Sequence, residues 1–152
     1  MPIAPHGGEL VNRILSGDAL RAAQAKAPAL PRIKVDAYAA FDIDCIAKGI
    51  FSPLTGFMNK QQTESVLDNM LLRPGVAWSI PILLGVSQAD ADAIKVGDEV
   101  AIEDDRGTLV AILHLSEKFD VDRRRIAEKV YRTTEDAHPG VAYTYSMGPV
   151  FL

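Results

Sequence analysis

The run Gly49-Ile50-Phe51-Ser52-Pro53-Leu54-Thr55-Gly56-Phe57-Met58 constrains the fold more than any other stretch of the chain. A surface linker has no use for Phe51, Phe57 and Met58. A regular helix or strand does not tolerate Ser52-Pro53 and Thr55-Gly56 in its interior, because proline removes a backbone N–H and glycine adds conformational freedom. The run is therefore expected to be a buried, sharply turned corner. Phe51, Leu54, Phe57 and Met58 would pack, and Pro53 and Gly56 would set the turn.

The sequence on either side has helix character first and strand character later. Leu10 to Ala29 holds a helix with Ser16 or Asp18 as its cap and Pro28 as its stop. Arg32-Ile33-Lys34-Val35 alternates as a short strand does. Asp36 caps a second helix from Ala37 to Lys48, stopped by Gly49. Asn59 and Gln62 form a capping-box pair; the helix they open is expected to bury Val66, Leu67 and Met70 and to end before Pro74-Gly75. Trp78 to Val86 looks like a largely buried strand, with Pro81 marking an edge or a bulge. Val96-Gly97-Asp98-Glu99 turns into the strand Val100–Glu103, Asp104-Asp105-Arg106-Gly107 makes a hairpin turn, and Thr108 to Ser116 returns. Asp122 caps a short helix with Ile126, Ala127 and Val130 on one face, and Thr133 to Gly140 is a polar loop. No internal repeat or low-complexity segment interrupts this order. The fold class expected is α+β, with the strands curled into a small barrel.

At 152 residues the chain can bury a real core, and its 48% hydrophobic and 24% charged content is that of a globular protein. No apolar stretch approaches the length of a membrane span. The first residues carry no basic segment followed by an apolar one, so no signal peptide is expected. A single cysteine, Cys45, cannot form an internal disulfide, which fits a cytoplasmic location. The net charge of −4 argues against nucleic acid as a partner, since that requires clustered Lys and Arg. Arg123-Arg124-Arg125 is the one local basic candidate.

Few residues are placed to do chemistry. The three histidines, His6, His114 and His138, show no metal-ligand spacing to one another or to Cys45. No Walker-type loop, dinucleotide fingerprint or Gly-x-Ser-x-Gly elbow occurs, and Ser52 before Pro53 lacks the framework of a nucleophile. His6-Gly7-Gly8 is either an anion nest of backbone N–H groups or a packed turn. His138 before Pro139-Gly140 is either a turn residue or a catalyst. Cys45 sits among Ile43, Ile46 and Ala47 as a small core group. Asp98, Glu99, Glu103, Asp104 and Asp105 read as a solvated hairpin face rather than a metal site. Arg123-Arg124-Arg125 could hold an anion or a subunit, or simply be a solvated helix end.

Four segments resemble the ATP sulfurylase (sulfate adenylyltransferase) family, in that family's order. They are Pro5-His6-Gly7-Gly8-Glu9-Leu10-Val11-Asn12-Arg13, the run Gly49–Met58, Trp78-Ser79-Ile80-Pro81-Ile82 with Leu84, and the stretch from Tyr131 through Thr133-Thr134, Asp136 and His138-Pro139-Gly140 to Val141. The resemblance implies a single N-terminal PUA-like domain over residues 1–152, a small barrel with N-terminal and flanking helices. It also implies a parent enzyme in which a sulfate oxygen attacks the α-phosphorus of ATP, giving adenosine 5′-phosphosulfate and pyrophosphate.

The family's catalytic strings, Gln-x-Arg-Asn, His-x-x-His and a Gly-Arg-Asp-type segment, do not occur here. The catalytic domain is thus expected to be absent, and the resemblance assigns no catalytic, cofactor-binding or metal residue to this chain. ATP with magnesium would belong to the parent enzyme. The expected partners are the catalytic domain and further copies of the parent in a homo-oligomer, with no membrane contact. The ending Gly148-Pro149-Val150-Phe151-Leu152 is expected to leave apolar groups unburied, which suggests a fragment or a gene product without its catalytic half. Two other readings stay open: a free-standing PUA-like RNA-binding module, and a regulatory module that pairs with a complete sulfurylase.

Overall fold

A computed structural model describes residues 3–152. In chain order the elements are α1 (Gly17–Lys26), β1 (Arg32–Lys34), α2 (Ala37–Ala47), α3 (Lys60–Asn69), β2 (Leu71–Arg73), β3 (Val76–Ala77), β4 (Gly85–Val86), α4 (Gln88–Ala93), β5 (Glu99–Glu103), β6 (Leu109–His114), α5 (Arg123–Tyr131), α6 (Pro139–Ser146) and β7 (Val150–Phe151). Single 3-10 turns cover His6–Gly8 and Ala27–Ala29. The mixture of helices and small sheets is α+β, as expected. The chain forms two compact units: residues up to Gly56 with Asp92–Ser116, and Phe57–Ala91 with Glu117–Leu152.

The first unit is built on the sheet β1-β5-β6. β1 lies parallel to β5, with Ile33 opposite Ile102, and β5 runs antiparallel to β6, with Val100 opposite Leu113. The central strand is the buried one: Val100, Ala101 and Ile102 are almost wholly inaccessible. The hairpin turn forms as the residues predict. Gly107 takes φ +81°, and the Asp104 carboxylate accepts the N–H groups of Arg106 (3.0 Å) and Thr108 (2.7 Å). Those bonds hold the Asp104 carboxyl below the usual range, the Thr108 N–H first among them. α2 packs against β6, and Asp36 caps it by accepting the Ala39 N–H at 2.8 Å. Ser16 occupies the cap position of α1, but its side chain makes no capping bond.

In the second unit Asn59 and Gln62 form the full capping box at the start of α3. Val66 and Leu67 are buried as predicted, but Met70 is 52% exposed. It is the C-cap residue, with left-handed backbone at φ 55°, so it has left the helix's buried face. A further strand pair, β2-β3, separates the helix from the expected break and turns through Pro74-Gly75.

Trp78 to Val86 is not one strand. Only Gly85–Val86 joins a ladder, pairing antiparallel with β7. Residues 81–84 are buried without a partner strand. Their carbonyls are used singly instead: Ile82 accepts the Met58 N–H at 2.9 Å and Leu84 the Leu152 N–H at 3.0 Å. Pro81 has no N–H to give a neighbour. The strands thus make sheets of three, two and two, and these pairings close no barrel among the described residues.

The last residues differ from expectation as well. Phe151 is fully buried and Leu152 is 7% exposed, because β7 pairs with β4 and Phe151 also bridges Phe119. α5 and α6 pack together, and α3 meets α5 through ion pairs. The polar loop after Thr133 is shorter than predicted, since α6 already starts at Pro139. Proline at the first helical position is compatible with a helix start, as its missing N–H would have had no partner there.

Candidate functional site

The Gly49–Met58 run is a corner made by side-chain and backbone bonds together. Ser52 is buried, and its hydroxyl donates to the Gly49 carbonyl at 2.6 Å while accepting the Val11 N–H at 3.0 Å. A hydroxyl committed in both directions holds two segments together and is not a free nucleophile. Gly49 has φ +78°, and a Cβ there would lie 2.1 Å from the Val11 carbonyl oxygen. The Ser52–Pro53 peptide is cis, and Pro53 lies against the N-terminal turn: a Cβ on Gly7 would sit 2.7 Å from its Cγ. In that turn the Gly8 N–H donates to the Pro5 carbonyl at 2.9 Å. One donor that an anion nest would use is therefore already taken.

The stretch Tyr131–Val141 builds the turn between α5 and α6. His138 is the N-cap of α6, its Nδ1 accepting the Gly140 N–H at 3.1 Å. A ring nitrogen that accepts carries no proton, so the proton of neutral His138 sits on Nε2. The imidazole lies 4.9 Å from the Tyr131 ring. Tyr145 donates its hydroxyl to the Thr134 carbonyl at 2.9 Å, and Glu135 donates its N–H to Thr133 Oγ1 at 3.2 Å. Gly140 is required by close approach: a Cβ there would lie 2.5 Å from the Tyr131 ring. The histidine is thus an unusual helix cap.

The arginine triplet divides into three roles. Arg123 donates to the carbonyls of Tyr145 and Met147 at the end of α6, where positive charge suits the exposed carbonyls. Arg125 donates to Glu64 at 2.6 Å and to both carboxylate oxygens of Asp68 at 2.9 and 3.0 Å. Its guanidinium holds the Asp68 carboxyl below the usual range. Arg124 is exposed. The hairpin acids are likewise spread among local partners: Glu99 with Lys26 and His114, Glu103 with Arg32. Among the described residues no group of three or more His, Cys, Asp or Glu could hold a metal ion. Cys45 is 2% exposed, and burial pushes its thiol up, away from the reactive thiolate.

One feature of α2 was not foreseen in the sequence. Asp42 is half-buried, and its carboxylate makes no hydrogen bond or ion pair among the described residues. Burial pushes its carboxyl up to about 6, and the charge of Asp36 adds to the shift. Beside it on the helix, Tyr38 and Phe41 are 67% and 64% exposed. A hint lay in the composition: Ala37–Ala47 carries apolar residues around nearly its whole circumference.

The Asp42 shift predicts a pH dependence. An unfolded aspartate titrates near ~3.9, so between there and pH 6 the folded chain binds more protons than the unfolded one. This group's contribution therefore falls as pH rises through that window. Asp42→Asn is expected to stabilise the chain by about 1 kcal/mol at pH 8, less than the ~3 kcal/mol of the full shift because solvent screens a half-exposed group. The gain should disappear by about pH 4. Urea midpoints at the two pH values measure it; an equal change at both would refute the shift.

A PUA-like domain family model matches residues 3–152. Over 150 residues, 99% of this chain, it is 45% identical to a sulfate adenylyltransferase of Symbiobacterium thermophilum, covering 38% of that protein. It is 46% identical, again over 150 residues, to a probable bifunctional SAT/APS kinase of Sorangium cellulosum, covering 26% of it. Among solved structures it is similar to the hexameric APS kinase from Thiobacillus denitrificans, with TM-score 0.70 and 32% identity over 79% of this chain and 24% of that one. The chain thus spans well under half the length of these relatives.

Proposed function

Because the chain belongs to the PUA-like domain family, we propose that it serves as the N-terminal domain of a sulfate adenylyltransferase. The observation that carries this reading is the similarity along 99% of the chain to a protein of that name. In the proposed parent, a sulfate oxygen attacks the α-phosphorus of ATP, a P–O bond forms, and the bond to the departing pyrophosphate breaks. Such a reaction depends on positioning and on donors that neutralise phosphate charge.

We assign that work, with ATP and magnesium, to the part of the parent outside this chain. The role left to these residues is structural, and the internal use of the Ser52, His138, Arg123 and Arg125 side chains supports it. Both compact units are read as one domain, because the family match runs through both. A closed PUA-like barrel is the finer form of this reading, supported by the family match. Assembly of the parent into a homo-oligomer is supported by the similarity to a chain of a hexameric protein. The buried, unpaired Cys45 supports a cytoplasmic location.

The test is a chimera in which this chain replaces the matching segment of the Symbiobacterium thermophilum protein. The chimera is expected to make ATP from adenosine 5′-phosphosulfate and pyrophosphate, and the 152-residue chain alone to make none. A folded chimera without activity, or activity in the chain alone, would overturn the reading.

A further inference from the structure

We propose that the open edge of β6 pairs antiparallel with the same strand of a second copy of this chain, about a twofold axis at Leu113. This gives the homo-oligomer proposed above a surface, and it does not depend on the enzymatic reading.

Backbone groups alternate in direction along a strand, so the partners of one residue fix the direction of the next. In β5 the Ala101 N–H donates to the Pro31 carbonyl at 2.9 Å, and the Glu103 carbonyl accepts the Val35 N–H at 2.8 Å. Both residues thus face β1, and Val100 and Ile102 face β6. Their partners in register are Leu113 and Ala111. Leu115 continues the series, donating its N–H to Asp98 at 2.9 Å and accepting that of Gly97 at 2.8 Å. Ile112 and His114, between these residues, therefore turn their N–H and C=O groups to the other side. No strand lies there, because β6 is the last of its sheet. Those groups make no hydrogen bond among the described residues. α2 packs against the strand, but no bond from it reaches them.

An open edge is a template for another strand, and proteins that avoid such pairing place charged residues or proline along it. Leu109-Val110-Ala111-Ile112-Leu113 holds neither. His114 ends the run, with Glu99 of its own chain 3.5 Å away. Two copies of the strand thus bring no like charges face to face. One twofold register uses every open group. With Leu113 opposite the partner's Leu113, Ile112 lies opposite the partner's His114, and His114 opposite the partner's Ile112. Each of those pairs exchanges both of its N–H···O bonds, and the two leucine side chains meet on the axis. A register centred on Ile112 would instead recruit Val110, where the ladder with β5 slips by one residue. One centred on His114 would set imidazole against imidazole and run past the end of the strand. So short a ladder is a weak contact, with Kd on the order of 0.1 mM.

Amide hydrogen exchange of the 152-residue chain, followed by NMR, reads this contact residue by residue. Between about 20 μM and about 1 mM protein, the Ile112 and His114 amides should slow by at least about 3-fold. Those of Ala111 and Leu113, bonded to β5, should be protected at both concentrations. Leu113→Cys checks the register: its thiol would face its own copy with Cα atoms about 4.5 Å apart, within disulfide reach. Mild oxidation should give at least about 10-fold more linked dimer than Ile14→Cys, an exposed site outside the sheet, and the buried Cys45 takes no part. His114→Pro removes one outward N–H and no bond to β5, so it should keep the fold and abolish the slowing at Ile112. Exchange at Ile112 and His114 that does not change with concentration would overturn the proposal. So would slowing that survives His114→Pro, or slowing with no excess of linked dimer from a folded Leu113→Cys. Protection of the two amides only in the active chimera would put a strand of the parent on this edge and refute the second copy.

Discussion

Gly49→Ala is expected to destabilise the chain by about 3–5 kcal/mol, the sum of a left-handed backbone strain and a buried clash. The backbone at Gly49 has φ +78°, which side chains disfavour, and the added methyl would lie 2.1 Å from the Val11 carbonyl oxygen and 3.1 Å from Ser52 Oγ. The first is a main-chain atom that cannot rotate away. The Ser52 hydroxyl joins Gly49 to Val11, so moving either side breaks a buried bond as well. For a domain of this size the melting temperature should fall by roughly 10 °C. Gly56→Ala in the same run is the control. Its Cβ would meet nothing within 4 Å and its φ is not positive, so its effect should be small. Calorimetry on the two variants decides the matter: equal, small shifts would show that the corner does not depend on Gly49.

What the sequence disclosed followed how local each determinant is. Asp36, Asn59 with Gln62, and Asp122 were identifiable as caps because a cap depends on residues two or three positions away, and each accepts the N–H expected of it. The turn at Asp104–Gly107 was legible for the same reason. Met70 lies outside the buried face that the periodicity predicts, because apolar periodicity says nothing of where a helix switches to left-handed backbone. The strand expected over Trp78–Val86 failed because buried apolar residues need a partner strand to form a ladder, and here only Gly85–Val86 has one.

The site shows the same division. Ser52, His138 and the arginine triplet could be picked out by type, but the atoms that take up their hydrogen bonds come from other elements: Val11 for Ser52, Tyr145 and Met147 for Arg123, Glu64 and Asp68 for Arg125. Asp42 carries no such signal, because desolvation is a tertiary property. An aspartate on an apolar helix can face water or protein, and only the packing of the helix decides.

Phe151→Ala is expected to cost about 3–5 kcal/mol, the range for emptying a fully enclosed aromatic site. The ring has no accessible surface and lies 5.9 Å from the Phe119 ring, tilted by 32°. Its own backbone is used twice: the Phe151 N–H donates to the Phe119 carbonyl at 2.8 Å and its carbonyl accepts the Phe119 N–H at 3.0 Å. Opposite it in the β4–β7 pair stands Gly85, where a Cβ would come within 3.1 Å of the ring. The missing side chain at Gly85 leaves the ring room on that side. Phe151→Leu should keep part of the burial and lose roughly half as much. Denaturant midpoints should therefore order wild type above Phe151→Leu above Phe151→Ala. A Phe151→Ala variant that melts with the wild type would mean that β7 packs loosely, whereas the predicted loss would make Phe151 as important to this fold as the corner at Gly49.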